Sequence, residues 1–191
     1  MILAYAIIIL ILIAVLLRRD LSTLGQVSYR GGWLLAAGVA ALFVLQALLV
    51  LYTPGQTAWQ MIVLNLSQLG LIFLFLLNRH IPGAKLFALG VALNALVMVA
   101  NGGWMPVTPE TARFVHPDRP VVAQVRPSAS KNIILPRSET NLWILSDIIH
   151  VTLPWRRNAV SIGDIVLVIA VAQFIFQTTA KKKDKLLVSQ V

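Results

Sequence analysis

Five continuous runs of apolar residues constrain the fold of this chain more than any other feature. They cover residues 2–17, 33–52, 59–77, 84–100 and 161–180, and no charged side chain lies in the middle of any run. None shows the short alternating pattern of a barrel strand, and a helix satisfies every backbone group within one segment in hydrocarbon. The sequence therefore predicts an all-α membrane protein with five transmembrane helices in a single integral domain, residues 1–191.

Composition supports the membrane class and narrows the partners. Hydrophobic residues make up 58% of the chain, charged residues make up 12%, and the mean hydropathy is +0.82. This leaves too little polar material to cover a water-exposed surface. The formal charge of +9 would suit nucleic acid, but the basic residues flank apolar runs instead of forming a patch with exposed aromatics. We expect the lipid bilayer and anionic headgroups as partners, and no nucleic acid.

The residue types that usually hold metals or cofactors are sparse. The sequence has no cysteine, which excludes disulfides, thiolate nucleophiles and iron–sulfur ligation by its side chains. Its three histidines, at positions 80, 116 and 150, are too scattered to predict a metal site. Neither a glycine-rich phosphate loop nor a serine with an oxyanion arrangement is recognisable. The sequence therefore predicts no cofactor and no metal.

The distribution of Lys and Arg predicts the orientation in the membrane. Three lie between the first two runs, none between the second and third, two in or just after the next connection, and four in residues 181–191. The positive-inside rule makes 181–191 a cytoplasmic basic tail and places the N-terminus outside. The first run lacks the charge order of a signal peptide, so we expect a retained anchor. Residues 101–160 then form a long extracytoplasmic loop, whose seven Lys and Arg run against the rule.

Two structured pieces are predicted inside that loop. Ser138 is a candidate cap for a helix over residues 139–151, which has one apolar stripe. Because a sixth span over residues 142–155 would be too short and too polar, an interfacial amphipathic helix is favoured. Residues 121–125 and 132–135 are short strand-like pieces, for which we expect a small hairpin.

Asp147 and His150 lie three residues apart on the predicted loop helix, so their side chains would be neighbours. An imidazole oriented by a carboxylate is the centre of many acid–base sites. The commoner interpretation of such a pair is a surface ion pair.

Polar and small residues within the apolar runs indicate how the helices pack. Interhelical hydrogen bonds, on the order of 0.6 kcal/mol each, are the favoured role, and a polar pathway is the alternative. A proton-driven transporter is disfavoured, since such proteins typically place a charged residue mid-span. Single glycines in runs two, three and four predict close helix approach. The polar residues are Gln46, Asn65, Ser67, Gln68, Asn94, Gln173 and Gln177; the glycines are Gly38, Gly70 and Gly90.

Asn101-Gly-Gly-Trp-Met-Pro106 ends the fourth run with the residues that a helix C-terminus favours. The alternative is that the amides of Gly102 and Gly103 form an anion-binding nest with Arg113 in reach.

Ser161-Ile-Gly-Asp164 opens the fifth run with the spacing of a capping box, in which Ser161 and Asp164 bond each other's amides. The alternative is that Asp164 orients Arg156 and Arg157 toward a phosphate.

These two motifs and the five apolar runs together resemble a family of small bacterial integral membrane proteins known only as a domain of unknown function. The resemblance implies a bacterial plasma-membrane location, and it transfers no catalytic residues.

The favoured hypothesis is a non-catalytic accessory or scaffold protein whose extracytoplasmic loop binds a membrane-protein partner or anionic lipid headgroups. The alternative is an enzyme or carrier that acts on an anionic lipid, and the sequence does not decide whether the protein is an enzyme. The candidate binding residues are Asn101, Gly102, Gly103, Arg113, Asp147, His150, Arg156, Arg157 and Asp164.

Overall fold

Helices dominate the computed structural model, which describes residues 2–154 and 156–180. The predicted basic tail, residues 181–191, lies outside the described residues. The five apolar helices begin and end within two residues of the predicted bounds, because each apolar run stops at glycine, proline or charged residues. They are α1 (Ile2–Leu16), α2 (Gly32–Tyr52), α3 (Ala58–Leu77), α4 (Ala84–Ala100) and α6 (Ile162–Thr178), with the short α5 (Pro109–Val115) between the last two.

Two of these helices, α2 and α3, are long and apolar enough to cross a membrane. Only 6% of the apolar window of α2 and 17% of that of α3 is buried inside the protein. Leu34, Leu48 and Phe73 are among the large side chains that point outward. A core helix of a water-soluble protein would instead bury most of such a surface. The other three are shorter apolar helices.

The helices pack in the order α2, α3, α4, α6 and α1. The closest approach joins α4 to α6, where a side-chain carbon added to Gly90 would lie 2.8 Å from the Gly163 carbonyl oxygen. The predicted close approach is therefore confirmed at Gly90. A side-chain carbon added at Gly70 would make only ordinary contacts with α2, at 3.7 Å, and the prediction is wrong for Gly38, where an added carbon would face open space.

Some of the polar residues in the apolar runs bond between helices, as predicted. Ser67 of α3 donates to the Gln46 side chain of α2. Asn94 of α4 donates to the Asp164 carboxylate of α6 over 2.9 Å. Asn65 instead donates to the Met61 carbonyl of its own helix, at 2.7 Å. The two interhelical bonds fix the position of each helix along the axis of its neighbour, which apolar contacts alone do not do.

The connections lie at two opposite ends of the helix row. At the end that we call the turn end, residues 17–31 meet residues 78–83 and the end of α6. Asn78 accepts from the Arg30 amide at 2.7 Å and donates to the Arg30 carbonyl at 3.1 Å. Thr23 donates to the Thr178 carbonyl at 3.1 Å. Loops one and three therefore share one end with the C-terminus of α6.

The opposite end, which we call the long-loop end, gathers residues 53–57 and residues 101–161. Gln56 donates to the Gln124 carbonyl at 3.0 Å, and Arg126 donates to the Thr53 carbonyl. The turn between α2 and α3 is thus bonded to the long loop.

The long loop is folded against the helices. Strand β1 (Met105–Val107) pairs in parallel with β2 (Asn132–Ile134), and β3 (Ile149–Leu153) pairs antiparallel with β4 (Arg156–Val160). The main core lies beneath β1 and β2, and its buried members are Leu64, Val97, Met98, Trp104, Met105 and Ile133. Side chains from α3, α4 and the loop share this core, so the loop and the helix row fold as one unit.

The predicted amphipathic helix over residues 139–151 is wrong. Short 3-10 turns at Arg137–Glu139 and Trp143–Leu145 precede strand β3. Leu142 adopts a left-handed backbone with φ of 53°, which interrupts any helix at that position. The residues of β3 then alternate between half-buried and exposed, which is the period of a strand.

The predicted hairpin of residues 121–125 and 132–135 is confirmed only in part, because residues 121–125 form no strand. Two backbone bonds, from Gln124 to Ile134 at 2.7 Å and from Ile134 to Val125 at 3.2 Å, do join the segments. Residues 132–134, however, form their strand with β1, which is separated from them by more than twenty residues. Local sequence pattern could not reveal this non-local parallel partner.

We expect Gly90→Ala to lower the free energy of unfolding by about 1–3 kcal/mol, because the added carbon meets backbone and Leu167 at the α4–α6 contact. The matched control is Gly38→Ala, which fills open space and should leave stability unchanged or raise it by up to about 1 kcal/mol. Thermal unfolding in mild detergent measures both. Equal unfolding midpoints for the Gly90 variant and the unchanged protein would contradict the close packing.

Candidate functional site

The Asn101-Gly-Gly motif closes α4 and holds the long loop to it. Asn101 donates to the Val97 carbonyl at 2.7 Å and to the Asn141 carbonyl at 2.9 Å, and it accepts from the Asn141 amide at 2.9 Å. Gly103 has a φ of 89°, and its amide donates to the Met98 carbonyl at 2.7 Å. The predicted helix end is confirmed. Because the Gly103 amide is already bonded, it is not available to the anion nest that the motif also allowed.

A group of acids and amides lies where the long loop meets the start of α6. Ser161 and Asp164 form the predicted capping box, in which each side chain bonds the other's amide, at 3.0 Å and 3.3 Å. Asn94 of α4 donates to Asp164 and accepts from the Ser161 hydroxyl at 2.7 Å. The carboxylate therefore accepts from two donors, the Asn94 side chain of α4 and the Ser161 amide at the start of α6. The alternative role was that Asp164 orients Arg156 and Arg157. The hydrogen bonds of its carboxylate go to Asn94 and Ser161 instead.

Asp147 joins the same group from the loop. Its side chain is buried, one carboxylate oxygen accepts from Asn132 at 2.9 Å, and the other has no hydrogen-bond partner among the residues that the structure describes. Burial raises the pKa of Asp147 to about 6, with the Lys131 charge opposing and the Asp164 charge adding to the rise. We call Asn94, Asn132, Asp147, Ser161 and Asp164 the carboxyl cluster.

His150 belongs to a different surface. Its ring stacks on Phe114 with centroids 4.2 Å apart, and its Nε2 atom lies 3.0 Å from the Thr111 hydroxyl. The Arg157 guanidinium lies 5.6 Å from the same Phe114 ring. Burial lowers the pKa of His116, and the charges of Arg119 and Arg156 lower it further. Most side chains of this surface are exposed; we define the basic cluster as Arg113, His116, Arg119, His150, Arg156 and Arg157.

The predicted Asp147–His150 pair is wrong, because the segment is not helical. Asp147 turns inward to Asn132, whereas His150 lies exposed on β3 beside Phe114 and Thr111. The nine candidate residues therefore separate: two enter the carboxyl cluster, four enter the basic cluster and three close α4. The loop therefore contains a buried carboxyl group with a pKa of about 6 and, on a separate surface, a set of exposed cations.

Sequence reasoning missed Arg126, and it predicted a headgroup-level anchor for Trp104, which is buried instead. The Arg126 guanidinium lies 4.7 Å over the Trp104 ring and donates to the Thr53 carbonyl. Both side chains are buried, and burial lowers the pKa of Arg126. The Arg126 Nε and Nη1 atoms and the Trp104 Nε1 atom have no acceptor in the described part of the chain. No local pattern marks this pair, since the contact joins residues more than twenty positions apart.

We expect Asp147→Asn to stabilise the protein at pH 8 and to do so much less at pH 4.5. A folded-state pKa of about 6, above the ordinary 3.8, means that the acid contributes stability at low pH. That contribution is lost as the pH rises from about 4 to 6, and the total is up to about 3 kcal/mol. The asparagine keeps an acceptor for Asn132 without the buried charge. Unfolding midpoints in detergent at the two pH values measure the effect.

The control is Asp118→Asn, which neutralises an exposed acid of the same loop. It should change stability by no more than about 0.5 kcal/mol at either pH. An Asp147 variant that is less stable than the unchanged protein at pH 8 would show that the charge at this position is stabilising.

Comparison with known proteins adds the family. A model described as "Family of unknown function (DUF5317)" matches residues 26–176. A relative from Thermotoga maritima, described as an uncharacterized protein, is 33% identical over 162 residues, which cover 84% of this chain and 82% of the relative. No solved structure matches the chain significantly. The family match spans α2 to α6, including the whole long loop, and the resemblance seen in the sequence is thereby confirmed: this chain belongs to the DUF5317 family of unknown function.

Proposed function

We propose that this is a multi-pass protein of the bacterial plasma membrane in which α1, α2, α3, α4 and α6 all span the bilayer. The observation that supports this most strongly is the outward-facing apolar surface of α2 and α3. Water would disfavour such a surface, whereas lipid chains would not. Helices α4 and α6 have 17 residues each and so are about 26 Å long, slightly short of a hydrocarbon core of about 30 Å. A modest local thinning of the bilayer accommodates the difference.

The proposed orientation puts the turn end in the cytoplasm and the long-loop end outside. Arg18, Arg19, Arg30 and Arg79 lie in the turn-end connections, and the lysines of residues 181–185 follow α6 in the sequence. The turn between α2 and α3, at the other end, has no charge. This is the asymmetry that the positive-inside rule describes for short connections. The N-terminus then lies outside and the C-terminus inside.

Cysteine labelling tests the orientation, because the chain has no cysteine of its own. We expect a membrane-impermeant maleimide to label Ser128→Cys in intact cells, since Ser128 is exposed at the long-loop end. The matched control Ser28→Cys, exposed at the turn end, should be labelled only after permeabilisation. The opposite pattern would invert the orientation, and labelling of both in intact cells would contradict membrane insertion.

The long loop is proposed to be a non-catalytic docking surface for anionic lipid headgroups, in an accessory or scaffold role. The basic cluster supports this proposal, because Arg113, Arg156 and Arg157 are all exposed. The Arg157 guanidinium lies 5.6 Å from the Phe114 ring, and Arg156 is close enough for its charge to act on His116. Guanidinium groups bind phosphate through paired, charge-assisted hydrogen bonds. A membrane-protein partner with an acidic surface is the second kind of ligand that such a cluster fits.

The second candidate is an enzyme or carrier that acts on an anionic lipid. One observation favours it, namely that burial raises the pKa of Asp147 to about 6. A carboxyl group with that pKa can give or take a proton near neutral pH. In this alternative the basic cluster binds the phosphate, and Asp147 and Asp164 supply the acid–base chemistry.

Native mass spectrometry of the detergent-purified full chain separates these candidates. We expect the double variant Arg156→Gln/Arg157→Gln to bind phosphatidylglycerol about tenfold more weakly at low salt, because two cations near the headgroup are removed. Arg137→Gln is the matched control, since its guanidinium is stacked 3.5 Å from the Trp143 ring, outside the basic cluster.

Unchanged lipid binding by the double variant would rule out the docking surface. A time-dependent change in the mass of the bound lipid, lost in Asp147→Asn, would instead favour the enzyme.

A further inference from the structure

Two adjoining cavities open at the turn end, on either side of Ile81-Pro82-Gly83. One has a volume of about 180 Å³ and an almost wholly apolar lining. The other has a volume of about 240 Å³ and a mainly polar lining. Each is many times larger than the space of roughly 15 Å³ that a single water needs. A ligand with a polar head and an apolar tail would fit the pair.

The polar cavity is positively charged. Arg79 and Lys85 line it, together with His80, Gln173 and Gln177, and no acid is among the lining residues within the described part of the chain, 2–154 and 156–180. His80 is held in place from loop one, since its Nε2 atom lies 3.1 Å from the Ser28 carbonyl oxygen, which can only accept. Two exposed cations and two side-chain amides thus line one space, and an anionic group with several acceptor oxygens, such as a phosphate, complements them.

This convergence depends on how closely the turn packs on α6. A side-chain carbon at Gly83 would collide with the Ala170 carbonyl oxygen and lie 3.2 Å from the Phe174 amide nitrogen. Only glycine therefore lets the turn touch the backbone of α6. The contact brings Arg79 and Lys85 beside Gln173 and Gln177. The two glutamines are four residues apart and so share one face of α6.

The apolar cavity gives the site its second half. Its lining includes the aromatic rings of Phe75, Phe87 and Phe174, of which Phe75 and Phe87 stack with centroids 4.0 Å apart. Tyr29 also lines it, from the connection before α2. The lining spans α3, α4 and α6, so the cavity lies among the apolar helices and directly beside the polar one. A hydrocarbon chain is the type of ligand that complements such a cavity.

We infer that these cavities form a binding site for an acidic phospholipid, with the phosphate among Arg79, Lys85, Gln173 and Gln177 and one acyl chain in the apolar cavity. The site lies at the end of the helix row opposite the basic cluster and shares no residue with it. It rests on the proposed membrane insertion of α3, α4 and α6, which would supply the lipid from the cytoplasmic leaflet.

Lipid titrations of the detergent-purified full chain, followed by native mass spectrometry, test the inference. The probes are phosphatidylglycerol and phosphatidylcholine with the same acyl chains, and inorganic phosphate as a competitor. We expect phosphatidylglycerol to bind more tightly than phosphatidylcholine, and Arg79→Gln/Lys85→Gln to weaken phosphatidylglycerol binding about tenfold. Inorganic phosphate at millimolar concentration should not displace the lipid, because it lacks the acyl chain.

Two further variants sharpen the test. Arg30→Gln removes a cation of the turn end that does not line either cavity, and it should bind lipid as the unchanged protein does. Gln177→Glu changes one exposed residue at the rim and should weaken phosphatidylglycerol binding several-fold by repulsion. The Gln177 variant keeps the test decisive if the double variant folds poorly.

Three results would overturn the inference: undiminished phosphatidylglycerol binding in the Arg79/Lys85 or Gln177 variant, equal binding of the two lipids, or displacement by inorganic phosphate. The last result would identify a site for free anions instead of lipid. A failure of the membrane proposal can be distinguished from these results, because the cysteine labelling would reveal it. A failure of the proposed headgroup surface on the long loop would appear only in the Arg156/Arg157 variant.

Discussion

The contact between α4 and α6 determines where both candidate sites lie. Gly90 and Gly163 bring the two backbones together, and the bonds of Asn94 to Ser161 and Asp164 set the height of α6 along α4. Above this contact the start of α6 meets the long loop and completes the carboxyl cluster. Below it Gly83 packs on α6 and opens the two cavities beside the turn. One helix crossing therefore produces an acidic interior at one end and a basic cavity at the other.

Charges of opposite sign are separated within the long-loop end by burial. The cations of the basic cluster remain exposed, where water and salt screen them at little cost. Asp147 is withdrawn from water, and this burial stabilises its neutral form relative to the charged form and raises its pKa to about 6. The Asp164 carboxylate differs because two donors, the Asn94 side chain and the Ser161 amide, hold it. Two acids close enough to influence each other thus have different environments, which is the usual basis for dividing acid and base roles.

The sequence predicted the helices well and the long loop poorly, for one physical reason. A helix closes its hydrogen bonds within a single run, so the apolar pattern of α4 alone gave its bounds at residues 84 and 100. Strands β1 and β2 of the loop close theirs across a long stretch of sequence, as the Met105 amide does with the Lys131 carbonyl at 3.2 Å. Leucines and isoleucines at helical spacing led to the prediction of a helix, although the residues of β3 alternate between half-buried and exposed positions. The partner of Asp147, which is Asn132, could not be found because it also depends on that non-local pairing.

The folded loop also offers a physical account of how seven Lys and Arg residues can lie on the proposed outer side, against the positive-inside tendency. Arg126 lies over Trp104, Arg137 over Trp143 and Arg157 over Phe114. Each contact stabilises a cation by about 0.5–2 kcal/mol once the loop has folded. Long segments are translocated before they fold and largely regardless of charge. At the turn end, Arg79 lies in a short connection and Lys85 lies in the first turn of α4, and both side chains are exposed where they line the polar cavity. The same type of residue therefore stabilises the fold at one end and remains available to an anionic ligand at the other.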